Sequence, residues 1–151
     1  MTRANARELA VHLIYAREFT GDEPEMVIAC RLEKEYYANL SAENPVYEDR
    51  PSHAQRNYID NVVTGVSNRT DELNEIISKF SIDWDISRIS KLTRAIMQLA
   101  IFEIQNVDDV PTGVAISEAV RIVKLYDGDE AGAFVNGILG SYARSLTSEV
   151  E

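Results

Sequence analysis

Residues 110–140 read VPTGVAISEAVRIVKLYDGDEAGAFVNGILG, and this stretch decides the fold class. Apolar residues recur at helical spacing on both sides of an acidic, glycine-containing turn, DGDE at 127–130. The pattern is that of two helices meeting at a tight break. Pro111 suits the first turn of the earlier helix, because its missing N–H is one that a helix start leaves unbonded anyway. The later helix carries Phe134, Val135, Ile138, Leu139 and Tyr142 on its apolar side. Asn136-Gly137 interrupts that side. A mid-helix glycine costs on the order of 1 kcal/mol against alanine, so close helix–helix approach is the expected reason.

The same periodicity extends back to the N-terminus. A fifth helix carries Ile89, Leu92, Ile96, Leu99 and Ala100, with Asp85 as its expected N-cap and Trp84, just before it, expected to plug the seam between halves. A short fourth helix presents Leu73, Ile76, Ile77 and Phe80. The third carries Ile59, Val62, Val63 and Val66 behind a capping box made by Ser52 and Gln55. A second helix follows Pro24 with Val27, Ile28, Leu32, Tyr36 and Leu40, and residues 41–51 read as a loop. The first buries Ala6, Leu9, Ala10, Leu13 and Ile14 and ends near Thr20 and Gly21. No stretch shows strand alternation. The expectation is an all-α, seven-helix bundle forming a single domain over residues 1–146. Two small helical subdomains, about 1–81 and about 88–146, are expected to pack together, with the division around Ser81–Ser87 and a frayed tail at 147–151.

The chain has 151 residues, of which 45 % are hydrophobic, enough for a packed core. One cysteine, Cys30, excludes an internal disulfide framework and fits a reducing compartment. No apolar run approaches the roughly 20 residues that span a bilayer, and no signal-peptide pattern opens the chain. A cytoplasmic protein is expected. The formal net charge of −10 argues against nonspecific nucleic-acid binding. It leaves room for a local basic site, because charges beyond about 8–10 Å are screened at physiological salt.

Catalytic patterns are missing. His12 and His53 stand on different helices with no motif around either, and His12, off the core stripe, reads as a solvated histidine. Cys30 reads as a small packed hydrophobe. There is no phosphate loop, no dinucleotide-type glycine pattern and no metal-ligand spacing. Acidic pairs such as Asp108-Asp109 and Asp129-Glu130 sit at helix boundaries, where capping and dipole complementarity explain them. No cofactor and no metal are expected.

Features that suit binding are more specific. Arg3 and Arg7 lie one turn apart at the start of the first helix, where the dipole disfavours cations, so a phosphate contact is one reading and ordinary surface arginine the other. Val11, Tyr15 and Phe19 fall off the core stripe of that helix and are candidates for a partner surface or for cover by another part of the chain. Glu103 falls close to a buried stripe and needs partners, which the helix start across the next turn is placed to supply. Tyr126 and Phe134 flank the 127–130 turn, either as core or with an edge offered to a base.

Four segments in order, ARELAVHLIY, AIMQLAIFEI, DVPTGVAISEAVRIVKLY and FVNGILG, resemble the NusB family of transcription antitermination factors. The resemblance implies an all-α fold and no enzymatic activity. It implies binding of boxA-type RNA in ribosomal RNA transcripts together with NusE, a ribosomal protein, within the RNA polymerase antitermination complex. The family's RNA face carries over to Arg3, Arg7, Tyr126, Asp129, Glu130 and Phe134, and its partner surface to Tyr15 and Phe19. The chain departs from the family pattern in R-A-N-A-R at 3–7, in Gln98 and Ala133 where basic residues are common, and in Ser117 for asparagine. Fewer basic residues imply weak RNA binding alone and dependence on the partner. Homodimerisation of the free protein over the partner surface stays open, as does an adaptor domain with little RNA binding of its own. A cryptic hydrolase has no nucleophile–base pair to support it.

Overall fold

A computed structural model describes residues 1–81 and 89–150. Those residues contain eight α-helices, one short 3-10 helix and no strand. They form two compact units, Met1–Asn68 and Arg69–Glu151. Trp84 and Asp85 lie outside the described residues, as does all but Ser81 of the segment where the division between halves is expected. No described helix is long and apolar enough to cross a membrane.

In the first unit α1 (Arg3–Thr20) packs on α2 (Pro24–Arg31), α4 (His53–Asn68) and the 3-10 turn Pro45–Tyr47. The Thr2 hydroxyl caps α1 by accepting from the N–H of Asn5 at 3.1 Å, and Gly21 closes it by donating to the Arg17 carbonyl. The expected stripe is the core: Ala6, Leu9, Ala10 and Leu13 are fully enclosed, as are Ile59, Val62 and Val63 of α4. Val11 is enclosed too, although it lies off that stripe. Helices and turn cover α1 on more than one side, so its buried face is wider than the stripe alone.

Where the periodicity of residues 24–40 reads as one helix, the chain forms two, α2 and α3 (Lys34–Leu40), which raises the expected seven helices to eight. Glu33 causes the break. Its carboxylate accepts from the N–H groups of Glu35 and Tyr36, capping a new helix start. Those bonds hold the carboxyl below its ordinary value. The interruption shifts the helical phase, so Tyr37 is buried in place of Tyr36, which is 47 % exposed. At the head of α4 the Ser52 hydroxyl accepts from the N–H of Gln55, which is half of the expected capping box. The Gln55 side chain turns to Arg3 instead of back to Ser52.

The second unit comprises α5 (Thr70–Phe80), α6 (Lys91–Asn106), α7 (Thr112–Asp127) and α8 (Asp129–Val150). α6 starts behind Ser90, whose hydroxyl accepts from the Thr93 N–H, so Ile89 precedes the helix. Glu103 is 1 % exposed, as its place near the stripe predicts. Gln105 donates to the Tyr142 hydroxyl at 3.0 Å, tying α6 to α8.

Leu9→Ala should cost about 2–5 kcal/mol in urea unfolding, as for other large-to-small core changes, whereas Met26→Ala, at a residue 55 % exposed, should stay within about 0.5 kcal/mol. Equal losses in the two variants would contradict this assignment of the core.

Candidate nucleic-acid interface

Two basic residues of α1, Arg3 and Arg7, converge on one ring of α4. The Arg3 guanidinium carbon stands 4.3 Å from the centroid of Tyr58, and that of Arg7 stands 5.8 Å from it. Both distances lie within cation–π range. Arg3 Nε also donates to Gln55 Oε1 at 3.2 Å. Arg3 is half-buried, while Arg7 and Tyr58 are 4 % and 6 % exposed. No acidic residue stands in the first turn of α1, so the positive end of the helix dipole adds to the two cations. Glu8, next along the chain, is buried.

The far end of α1 has a different character. Tyr15 and Phe19 meet edge-to-face at 4.8 Å. Tyr15 is half-buried, whereas Phe19 is 58 % exposed.

In the second unit the chain turns between α7 and α8 at Gly128. Its φ of +90° and ψ of −179° fall in a region that essentially only glycine occupies. Asp127 is fastened from outside its own helix: its carboxylate accepts from the hydroxyls of Ser90 and Thr93. Gly132 lies beneath the Lys124 side chain, and a Cβ there would come within 2.8 Å of Lys124 Cγ. The corner therefore presents Tyr126, Asp129 and Glu130 to solvent, with Phe134 buried in the unit. Gln98 is also buried and donates to Asn74 at 2.8 Å, a bond that links α6 to α5. Ala133 and Ser117 are exposed, and nothing in the structure explains the serine.

His12 is not the solvated side chain its place off the stripe suggests. Its Nδ1 lies 2.8 Å from the Tyr47 hydroxyl, which accepts from Arg31 at 2.9 Å, and the two rings stack. Arginine can only donate, so the Tyr47 proton is the one available to Nδ1 of a neutral imidazole. Burial and the Arg31 charge bring the His12 pKa from 6.5 down to about 4. This cluster joins α1, α2 and the 3-10 turn. Among the described residues no group of three or more His, Cys, Asp or Glu side chains is placed to hold a metal ion.

Tyr58, Gln55, Lys124 and Asp127 touch or adjoin the candidate residues through contacts that the sequence pattern does not reveal. Only Gln55 carries a signal, and it points to a capping box.

Comparison with known proteins gives a consistent result. The NusB family model matches residues 4–144. A transcription antitermination protein NusB from Acetivibrio thermocellus is 43 % identical over 144 residues, covering 95 % of this chain and 90 % of the relative. One from Agathobacter rectalis is 35 % identical over 143 residues, covering 95 % and 100 %. Among solved structures, T. maritima NusB matches with a TM-score of 0.77 at 23 % identity, over 95 % of this chain and 92 % of that one. A crystal structure of antitermination factors NusB and NusE in complex with dsRNA matches with a TM-score of 0.73 at 22 % identity, over 95 % and 96 %.

The depressed His12 pKa makes stability depend on pH. The unfolded chain takes up the proton near 6.5 and the folded chain only near 4, so lowering the pH through this window favours unfolding. The urea midpoint should fall as pH drops from 6.5 towards 5, before most carboxylates titrate, and His12→Gln should flatten that fall. An undiminished slope in the variant would assign the effect elsewhere.

Proposed function

The chain belongs to the NusB family of non-enzymatic transcription antitermination factors, and from that premise we propose that it binds boxA-type RNA of ribosomal RNA transcripts jointly with NusE. The observation that carries this reading is the N-terminal cluster in which Arg3 and Arg7 share the Tyr58 ring. It is a local concentration of positive charge in a chain whose net charge is −10. The match over residues 4–144 supports the function, and NusE is the partner found with a family member bound to dsRNA.

Arg3 supplies the phosphate contact. Arg7, at 4 % exposure, adds its charge to the local field more than its surface. At the α7–α8 corner Tyr126 offers an aromatic face to an unstacked base. Asp129 and Glu130 repel phosphates, so their part is to accept from base amino groups. Phe134 acts from within the unit by supporting the corner. Tyr15 and Phe19 belong to the surface that receives NusE, or a second copy of the chain when NusE is absent. With Gln98 and Ala133 in place of basic residues, RNA affinity rests on few cations and the partner contributes the remainder. The protein works in the cytoplasm, where transcripts are made, within the RNA polymerase antitermination complex.

A salt series with a boxA-type oligonucleotide tests this reading, with and without NusE. Binding should be weak alone and strengthened by NusE. Arg3→Ala combined with Arg7→Ala should weaken it and flatten the log–log salt slope by about 0.7, the value for the one single-strand phosphate contact assigned to Arg3. NusE binding without gain in RNA affinity would make the chain an adaptor instead. Unchanged affinity and slope in the double variant would remove the two arginines from the site.

A further inference from the structure

We propose that Lys124 of α7, laid across Gly132 of α8, is a further RNA-phosphate contact at the α7–α8 corner, and that Gly132 is the positioning residue that seats it, roles that rest on the RNA-binding reading above. Gly132 is buried although Glu130 and Ala133 close by are exposed, and the atoms nearest its bare face all belong to the Lys124 stem. A Cβ at this position would stand 2.8 Å from Lys124 Cγ, 3.4 Å from Cδ and 2.9 Å from Cε. Three successive methylenes therefore occupy the space that any larger residue would fill. The backbone does not require the glycine, because among the described glycines only Gly21 and Gly128 have positive φ. The side chain of the neighbouring helix requires it.

A lysine on a helix surface samples many rotamers, and a ligand has to fix them on binding. Apolar contact along the stem restricts that freedom beforehand and leaves the ammonium, one bond beyond Cε, at the wet end of an exposed side chain. The corner is where such a cation matters. Asp129 and Glu130 are exposed there, and Asp127 is a third carboxylate even though the Ser90 and Thr93 hydroxyls engage it. A phosphate that approaches the Tyr126 ring meets these charges at short range, where screening is least. Ala131, Gly132 and Ala133 carry no charge of their own, so the positive charge over this turn of α8 reaches it from α7. An ammonium is a compact point charge with three donors, a form suited to a phosphate oxygen.

The test is a double-mutant cycle on the affinity for a boxA-type oligonucleotide, measured with NusE present across a salt series. Lys124→Gln keeps most of the stem and removes the charge. It should weaken binding about threefold to tenfold, between the worth of an exposed ion pair and that of a charge-assisted hydrogen bond, and flatten the log–log salt slope by about 0.7, the value for one single-strand phosphate contact. Gly132→Ala keeps the charge but displaces the stem. It should weaken binding by no more than Lys124→Gln does, and add nothing once Lys124→Gln is present. Alanine favours a helix over glycine and the displaced stem is flexible, so the urea midpoint of Gly132→Ala should not fall. NusE affinity without RNA should be unchanged in both variants. A Gly132→Ala loss that persists in the Lys124→Gln background, no loss at all, or a lowered midpoint would overturn the positioning role. Parent-like RNA affinity and slope in Lys124→Gln, or a fall in NusE affinity that accounts for the whole effect, would overturn the phosphate contact and leave the RNA reading standing. A parent protein that binds no RNA with NusE present would overturn both.

Discussion

The apolar seam between α1 and α4 is the constraint on which the first unit depends. Ala6, Leu9, Ala10 and Leu13 on one helix and Ile59, Val62 and Val63 on the other are fully enclosed. Each large aliphatic side chain contributes about 1.5–3 kcal/mol by leaving water, whereas a cation–π contact at the rim contributes about 0.5–2 kcal/mol. The seam therefore fixes the register, and the polar cluster follows from it. At its N-terminal end the same pair of helices brings Arg3 and Arg7 to Gln55 and Tyr58. Charge placement in this protein is thus a consequence of core packing, and a change deep in the seam is expected to be felt by the arginines.

On the proposed function, this acidic chain has to separate its local field from its total charge. Ten excess negative charges oppose a polyanion at long range, but screening over about 8–10 Å leaves short-range contacts to decide binding. At the α7–α8 corner Asp127 is engaged by Ser90 and Thr93, which makes it a fastening of the fold. Asp129 and Glu130 remain exposed there. On the proposed function, this distribution accounts for weak binding alone and for the need of a partner that brings more positive charge.

Most of the fold is legible in the sequence because helical periodicity reports burial directly. The stripes of α1 and α4 and the break at 127–130 follow from residue spacing alone. Spacing fails where side chains act across helices. The division at Glu33 is invisible because Leu32 and Leu40 keep a continuous pattern while a carboxylate caps a new start. Val11 looks peripheral on its own helix and is buried by neighbours that periodicity does not know about. His12 looks solvated until Tyr47 and Arg31, distant in sequence, close over it. The candidate site behaves likewise. Arg3 and Arg7 stand out by their spacing, but Tyr58 reads only as the neighbour of Ile59, and Gln55 as a cap residue. Their roles exist only once α1 and α4 are paired.

The central claim is that RNA meets this protein at the start of α1 and at the α7–α8 corner. The most direct measurement is a nuclear magnetic resonance titration of isotope-labelled protein with a boxA-type oligonucleotide, following the arginine Nε–H and aromatic side-chain signals together with the backbone. The account predicts that the largest shifts fall on Arg3, Tyr58 and Tyr126 and on the amides around Gly128, while Tyr15 and Phe19 stay unmoved until NusE is added. Shifts confined to Tyr15 and Phe19, or to neither end of α1, would contradict it.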